Sequence, residues 1–329
     1  MNLTNTEWIG RQIEPFGPKC PLSELVEELN RFYHEAEAHD YDVKHAEIFQ
    51  QLPGLWSELI DIALSALQEG RARILDFGSG TGFEAKQILT NIPRDRVATL
   101  TCYDLSADML AQCRKNIAPL FSAAQFTASL KQVEAVSPRF NLLATNSLLH
   151  HLPDVQGMLR RTERLLDPGA VWIAGHEPSS RFYNNPACVE ALEAFQRERR
   201  WRRYVTPRNY WNRVRALVGL RSSPARFAAD KALESGLFER RPSEFVVSRL
   251  VDFHVPHSAT EAAAGRGLDF ENLAEQLQGR WRLIHIRSYS FMGSFYEDHL
   301  PGRWQRIARE LAKKYPNDGS NFCTVWSRV

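Results

Sequence analysis

The stretch RILDFGSGTGFEAKQIL, residues 73–89, decides the fold. It starts as a short apolar strand, passes through glycines at positions 78, 80 and 82, and continues as a helical pattern. Glycine has no Cβ, so the backbone can turn tightly there and approach a ligand closely. A glycine-rich turn between a strand and a helix indicates a nucleotide-type binding site at the carboxyl edge of a parallel sheet.

Outward from this turn, short apolar runs alternate with helical stretches. The runs are ARILDF (72–77), VATLTCYDL (97–105), FNLLATNS (140–147) and AVWIAGHE (170–177). This alternation is typical of a parallel sheet with helices on both faces. Two further strand candidates, 280–291 and 321–329, flank an amphipathic helix at 303–314. We therefore predict an α/β fold with a Rossmann-like, doubly wound sheet.

The rest of the chain divides by its composition into segments of different pattern. Residues 1–70 read as a helical N-terminal lid, with one helix over 21–41 and a second over 43–67 that bends at Pro53-Gly54. We predict the sheet core at 71–184, a helical insertion after the fifth strand at 185–279, and the final strands of the core at 280–329.

Composition excludes several classes of protein. The 329 residues are 43% hydrophobic and 24% charged with a net charge of +2, which excludes a disordered chain and any general attraction to nucleic acid or anionic membranes. The N-terminus lacks a signal-peptide pattern and no apolar run would span a membrane, so we expect a cytoplasmic protein. Five widely separated cysteines predict neither a disulfide framework nor a metal site.

With the acid that follows the second strand, the pattern resembles the class I S-adenosylmethionine-dependent methyltransferases. Asp104 stands 22 residues beyond Gly82, close to the offset at which an acid meets a ribose. The resemblance covers residues 71–177 and the last two strands, and it implies a seven-stranded sheet. An NAD-binding fold is the weaker alternative, because the turn lacks the more distant glycine.

The resemblance also implies which residues bind S-adenosylmethionine. Asp76 would lie beneath the methionyl amine, Asp104 would hold both ribose hydroxyls, and Ser129 would face the adenine where the family often has an acid. The remaining expected cofactor contacts are Gly78, Ser79, Gly80, Gly82, Leu105, Asn146 and Tyr41.

Candidate catalytic residues follow the fourth and fifth strands. Asn146 ends the fourth strand, where it either contacts the methionyl amine or an acceptor, or serves the turn. One of His150 and His151 is a candidate general base, with packing as the alternative. Glu177 either orients a substrate amine or caps the following segment. Tyr183 faces the same edge.

Three functions remain open at this point. Methyl transfer to a small metabolite, in secondary metabolism, is favoured, because the N/D-P-P-Y/F/W sequence of base and glutamine N-methylation is missing after the fourth strand. Asn146 and Tyr183 resemble the azetidine-2-carboxylate synthase branch, which cyclises the cofactor and releases methylthioadenosine. A cofactor-binding protein without catalysis is the third.

Two groups of residues suggest how substrates and partners are held. Residues 196–249 carry 14 Lys or Arg against five Asp or Glu, which fits a solvated face, an acidic or carrier-protein-bound substrate, or least of all nucleic acid. Aromatic residues flanking the sheet core are candidates for a lid, although most are expected to be core. They are Phe32, Tyr33, Tyr41, Phe182, Tyr183, Trp201, Tyr204, Tyr210 and Trp211.

Overall fold

The computed structural model describes residues 5–67, 70–136, 138–204, 223–256, 261, 267–294 and 300–329. Its strands are β1 (Ala72–Phe77), β2 (Val97–Tyr103), β3 (Gln125–Thr127), β4 (Phe140–Asn146), β5 (Leu166–Pro178), β6 (Trp281–Tyr289), β7 (Phe291–Ser294) and β8 (Asn321–Arg328). Seven of them form one sheet in the order β3-β2-β1-β4-β5-β8-β6. β1 to β5 are parallel, and β8 is antiparallel to both β5 and β6. The predicted seven-stranded, doubly wound α/β sheet is confirmed.

The helices lie between and around these strands. They are α1 (Asn5–Ile13), α2 (Leu22–Glu37), α3 (Tyr41–Lys44), α4 (Ala46–Ala66), α5 (Phe83–Asn91), α6 (Ala107–Ile117), α7 (Leu130–Glu134), α8 (Val155–Glu163), α9 (Ser180–Asn184), α10 (Pro186–Tyr204), α11 (Pro224–Glu234), α12 (Glu244–Val251), α13 (Phe270–Leu277) and α14 (Gly302–Lys314). α4 continues through Pro53 without interruption. Trp56, Leu59 and Ile60 are buried in the core on one side of the sheet, and this packing holds the helix where proline removes a backbone donor.

The sheet is covered on both faces. α4, α5 and α6 bury apolar side chains against one face, whereas α8 and α13 pack on the other around Trp172 and Trp326. β1 and β4 are almost completely buried, as the near-continuous apolar runs of two-sided parallel strands require. Within the described residues, no helix is both long and apolar enough to cross a bilayer.

A third core joins two distant parts of the chain. Leu25, Leu29 and Phe32 from the N-terminal part pack with Val247 and Phe253 from the predicted insertion. We call residues 5–37 and 224–254 the cap lobe. Packing therefore groups the helices differently from the predicted segments: α4 belongs to the sheet core, while α1, α2, α11 and α12 form one lobe. The reason is that an amphipathic helix buries its apolar face against whichever complementary face the chain returns to it.

Candidate active site

The glycine turn leaves β1 and approaches the end of β2. Gly78, Gly80 and Gly82 have φ values of 81°, 50° and 93°, in the left-handed region that favours glycine. A Cβ on Gly78 would lie 2.8 Å from Leu148 Cδ1, and one on Gly82 would lie 2.8 Å from Ile117 Cγ1. A Cβ on Gly80 would meet nothing within 4 Å. The outer glycines thus permit close packing, and only Gly80 leaves open space in front of the turn.

Asp104 lies directly opposite this open glycine. Its Oδ2 accepts a hydrogen bond of 2.8 Å from the Gly80 N–H, and its Oδ1 accepts one of 2.9 Å from the Ser106 N–H. Burial raises the pKa of Asp104, and the two backbone donors oppose that shift. The half-buried carboxylate therefore holds the turn and keeps lone pairs available for further donors.

Asp76 lies behind the turn on β1. Its side chain is fully buried; Oδ2 accepts from the Ala85 N–H at 3.2 Å, and among the described residues Oδ1 has no partner. Burial raises the pKa of Asp76 to about 8, and the charge of Asp104 adds to the shift. Burial likewise raises the pKa of Glu84, followed by the charge of Asp76. Two buried acids beside the turn create an environment that favours a cation.

A cavity of about 290 Å³ opens in front of the turn and Asp104, at the carboxyl edge of β1, β2 and β4. α2 of the cap lobe forms one wall and α8 forms another. The predicted site residues that line it are Tyr41, Gly78, Ser79, Gly80, Asp104, Leu105 and Asn146, together with His151. Those that do not are Asp76, Gly82, Ser129, His150, Glu177 and Tyr183.

Asn146 is buried at the end of β4, and a residue of helix α4 orients its side chain. Its Oδ1 accepts a hydrogen bond of 3.1 Å from Trp56 Nε1, and this bond fixes the orientation of the amide. Its Nδ2 donates to Ser147 Oγ at 3.4 Å. Ser147 and His176, at the ends of β4 and β5, have φ values of 53° and 55°. Non-glycine residues in this region are strained, and such strain concentrates at functional sites.

Glu177 has its oxygens occupied by backbone. Oε1 accepts from the N–H groups of Leu148 and Leu149 at 2.9 Å each, and Oε2 accepts from the His150 N–H at 3.2 Å. His150 Nδ1 lies 2.9 Å from Oε2. Of the two roles that the sequence leaves open, this geometry is that of a cap on the 3₁₀ turn Leu149–His151.

Of the two adjacent histidines, His151 is the one that lines the cavity. Its Nδ1 lies 2.6 Å from the Val251 carbonyl oxygen, which can only accept, so Nδ1 carries the proton and Nε2 keeps its lone pair. Burial, and then the neighbouring His150 and His34, place the pKa of His151 well below its usual value. Burial also lowers the pKa of His34, on α2, to about 4. Both imidazoles are neutral at physiological pH.

Tyr183 is not brought together with Asn146. It packs against Phe182, Cys188 and Leu192 in a separate small core. After β5 the Ser179 N–H donates to the Ser320 carbonyl and the Ser180 N–H donates to the Leu268 carbonyl, and Tyr183 on α9 does not line the cavity. Ser129 precedes α7, and its neighbour Leu130 lines the cavity instead.

The N-terminal part is attached to the glycine turn by side chains. Asp42 Oδ1 accepts a hydrogen bond of 2.6 Å from Thr81 Oγ1. Asn116 Nδ2 donates to the Thr81 carbonyl at 2.9 Å, so the turn is held from two helices. Tyr41, beside Asp42, lines the cavity, and its ring centroid lies 4.4 Å from that of His45. The short helix α3, which follows the cap lobe's α2 in the chain, therefore bonds directly to the glycine turn.

Sequence reasoning missed the helical walls of the cavity. Asn30, Arg31 and His34 on α2 and Met158 and Arg161 on α8 line it. Nothing in their spacing indicated this, since the same pattern describes any amphipathic helix.

The remaining lid candidates divide between core and the undescribed part of the chain. Phe32 and Tyr33 belong to the core of the cap lobe. The side chains of Trp201 and Tyr204, the residues Tyr210 and Trp211, and most of the basic stretch at 197–221 lie outside what the structure describes.

Residues 75–172 match a family model described as a methyltransferase domain. The malonyl-[acyl-carrier protein] O-methyltransferase of Halorhodospira halophila is 30% identical over 139 residues, 41% of this chain and 46% of that protein. The trans-aconitate 2-methyltransferase of Deinococcus radiodurans is 33% identical over 100 residues, 30% and 36% of the two chains. This chain therefore spans less than half the length of these curated relatives.

Among solved structures, the plantazolicin methyltransferase BpumL in complex with SAH aligns with a TM-score of 0.44 at 12% identity, over 93% of this chain and 98% of that chain. The [4+2]-cyclase SpnF aligns with a TM-score of 0.42 at 14% identity, over 83% and 80%.

Proposed function

We propose that this chain is a class I S-adenosylmethionine-dependent methyltransferase, and that it transfers the methyl group of that cofactor to a carboxylate oxygen of a small acceptor. The observation that carries the proposal is the cavity that joins the glycine turn and Asp104 to a wall bearing the guanidinium of Arg161, which forms no ion pair with any residue that the structure describes.

The residues on the cofactor side fit S-adenosylmethionine, the cofactor of this family. Open space at Gly80 admits a ligand beside the turn, and Asp104 can accept from vicinal ribose hydroxyls. The buried Asp76 and Glu84 favour the positive charge of the methionyl ammonium and the sulfonium. When bound, this cofactor supplies an already activated methyl group.

The wall of the cavity formed by α8, which we assign to the methyl acceptor, favours an anion. Arg161 lines the cavity from α8, and within the described part of the chain it forms no ion pair. Its charge also acts on Tyr103 in the same wall, whose pKa is raised to about 12 by burial. A guanidinium matches a carboxylate geometrically and electrostatically. Malonyl and trans-aconitate, in the names of the two curated relatives, both carry a carboxyl group.

A carboxylate acceptor also suits the neutral histidines of the cavity. An ionised carboxylate is a nucleophile at neutral pH without a general base, so the protein's contribution is alignment and exclusion of water. α2 and Tyr41 cover the site, and Arg161 would orient the acceptor. The acceptor oxygen would take the methyl group, while the methyl–sulfur bond would break with its electron pair left on the sulfur of the departing S-adenosylhomocysteine.

Cyclisation of the cofactor has less support. That reaction needs Asn146 and Tyr183 beside one amine, and Tyr183 packs in a separate core away from the cavity.

The test combines product identity with an acceptor panel. We expect no turnover with S-adenosylmethionine alone, and S-adenosylhomocysteine plus a methyl ester when small di- and tricarboxylic acids, free or carrier-bound, are added. Arg161→Ala should raise KM for the acceptor by roughly 10-fold or more, the scale of a lost charged hydrogen bond, with cofactor affinity unchanged. Arg164→Ala, an exposed arginine at the end of the same helix, is the matched control. Methylthioadenosine formed without acceptor would refute the proposal.

A further inference from the structure

A cluster of metal-type donors lies where the cap lobe meets the turn after β4. His150 and His151 are on the 3₁₀ turn, and Asp252 follows α12 of the cap lobe. One donor atom from each residue lies within 4.8 Å of the other two. We propose that these three side chains bind a divalent transition-metal cation of the Zn²⁺ class, in addition to the methyl-transfer function.

The strongest support is the set of groups behind the two histidines. His150 Nδ1 lies 2.9 Å from the Glu177 carboxylate, and His151 Nδ1 lies 2.6 Å from the Val251 carbonyl. Both partners are acceptors, so each ring donates a hydrogen bond through Nδ1 and has Nε2 left to face a ligand. Metal-binding histidines are oriented in this way by a carboxylate or a backbone carbonyl behind the ring.

A third imidazole lies beside the two histidines of the cluster. The rings of His150 and His151 have centroids 4.1 Å apart, and the His34 ring lies 5.4 Å from that of His151. His34 Nδ1 is buried and has no hydrogen-bond partner in the described structure.

Two nitrogens and one carboxylate oxygen define the class of ion. Imidazole and carboxylate suit Zn²⁺ and its first-row neighbours, whereas Mg²⁺ and Ca²⁺ prefer oxygen alone. Ligand atoms about 2 Å from a tetrahedral Zn²⁺ lie roughly 3.3 Å from one another. The three donor atoms, which lie within 4.8 Å of one another, would therefore move slightly closer together on binding. Because His151 lines the cavity, a fourth coordination position would face the acceptor side.

The cation would join two units that already meet here. The His254 N–H donates to the His150 carbonyl at 2.8 Å, and His254 Nε2 lies 2.9 Å from the Leu152 carbonyl oxygen. Ligands from both sides of this contact would fix the cap lobe against the sheet, so metal binding should raise the unfolding temperature.

The experiment measures binding without any acceptor, so its outcome does not depend on the methyltransferase assay. Untagged full-length protein is stripped with chelator and titrated with Zn²⁺ by calorimetry, and with Co²⁺ by visible absorption. We expect one equivalent per chain, d–d bands of a nitrogen- and oxygen-ligated Co²⁺, and a Zn²⁺-dependent rise in Tm.

The variants decide where the cation binds. Asp252→Asn and His151→Gln should weaken Zn²⁺ binding by at least the roughly 10- to 100-fold that loss of a supporting group costs. His39→Gln, an exposed histidine of the N-terminal part, should bind as the wild type does. The near-isosteric Asp252→Asn remains decisive if His151→Gln does not fold. Absence of binding to folded wild type, or unchanged binding in folded Asp252→Asn, would overturn the proposal.

Discussion

Asp104 bonds to the turn and also faces the place where a ribose would lie. In the structure its two oxygens accept from the Gly80 and Ser106 N–H groups. Each carboxylate oxygen has a second lone pair, so ribose hydroxyls can be accepted without breaking these bonds. Loss of the side chain removes both the bonds to the ligand and the support of the turn.

We expect Asp104→Ala to weaken binding of S-adenosylhomocysteine by roughly 10- to 100-fold, equivalent to about 1.5–3 kcal/mol for hydrogen bonds to a charged group. Asp108→Ala changes an exposed acid in the first turn of α6 and should leave affinity unchanged. Calorimetry on both variants gives the comparison. Equal affinity of folded Asp104→Ala and wild type would exclude Asp104 from the cofactor site.

Asp76 predicts a pH dependence of stability in the ligand-free protein. Its pKa is raised to about 8 by burial, so the folded state holds a proton that the unfolded state has released. This contribution to stability is complete below the unfolded pKa of roughly 4, and it is lost as pH rises through about 8. We expect the free energy of unfolding to fall between pH 6 and 8.5, and to fall less in Asp76→Asn. Urea unfolding at several pH values checks this, and identical profiles would contradict it.

At the scale of elements, the 3₁₀ turn after β4 is built on β5. The register of β5 against β8 shifts between Ala174 and Glu177, and this irregularity aims the Glu177 carboxylate at three successive N–H groups of the turn. His150, His151 and the wall of the cavity therefore depend on an acid 26 residues further along the chain than His151.

Glu177→Gln separates a capping role from a substrate-orienting role. An amide offers one acceptor oxygen and presents N–H groups to a donor, so about 1–3 kcal/mol of stability should be lost. A residue that only oriented substrate would show no such loss. Chemical denaturation measures the change. Glu163→Gln is the comparison, because Glu163 is a half-buried acid that accepts from Trp281 Nε1 at 2.8 Å and pairs with Arg280, and it does not bond to the turn. Unchanged stability of Glu177→Gln would mean that the turn needs no carboxylate.

At the scale of the whole molecule, the cap lobe is a single unit made from two chain segments. Its core contains Leu25 and Leu29 from α2 together with Ala228 and Val247 from α11 and α12. Removing the N-terminal 41 residues would therefore expose the apolar faces of α11 and α12, and a truncation is not a clean test of the lid.

A core substitution tests the shared lobe directly. Leu29→Ala removes a fully buried side chain and should cost about 2–5 kcal/mol of local stability. Because the core is shared, hydrogen exchange should accelerate in residues 224–254 as well as in α2, while β1 and β4 stay protected. Leu120→Ala, at an exposed position in the loop after α6, is the control. Acceleration confined to the N-terminal segment would show that the two segments are not one unit.

The sequence by itself determined the sheet, the glycine turn and the place of Asp104. The strands of the parallel core are apolar runs because both faces of the sheet are buried. Positions 78, 80 and 82 are glycines because the backbone there has φ values that favour glycine. These constraints act between near neighbours, so they can be read locally.

Only the tertiary structure decided what surrounds that core. Adjacent residues on a tight turn point in different directions, so His151 lines the cavity whereas His150 contacts Glu177. The sequence alone, with two consecutive histidines, does not show which of them faces the cavity. Tyr183 follows α9 away from the edge that its position after β5 had indicated. Arg161, His34 and the shared cap lobe arise from contacts between segments far apart in the chain. An amphipathic helix specifies that one face is buried, and the partner that covers it is chosen by the packing of the whole molecule.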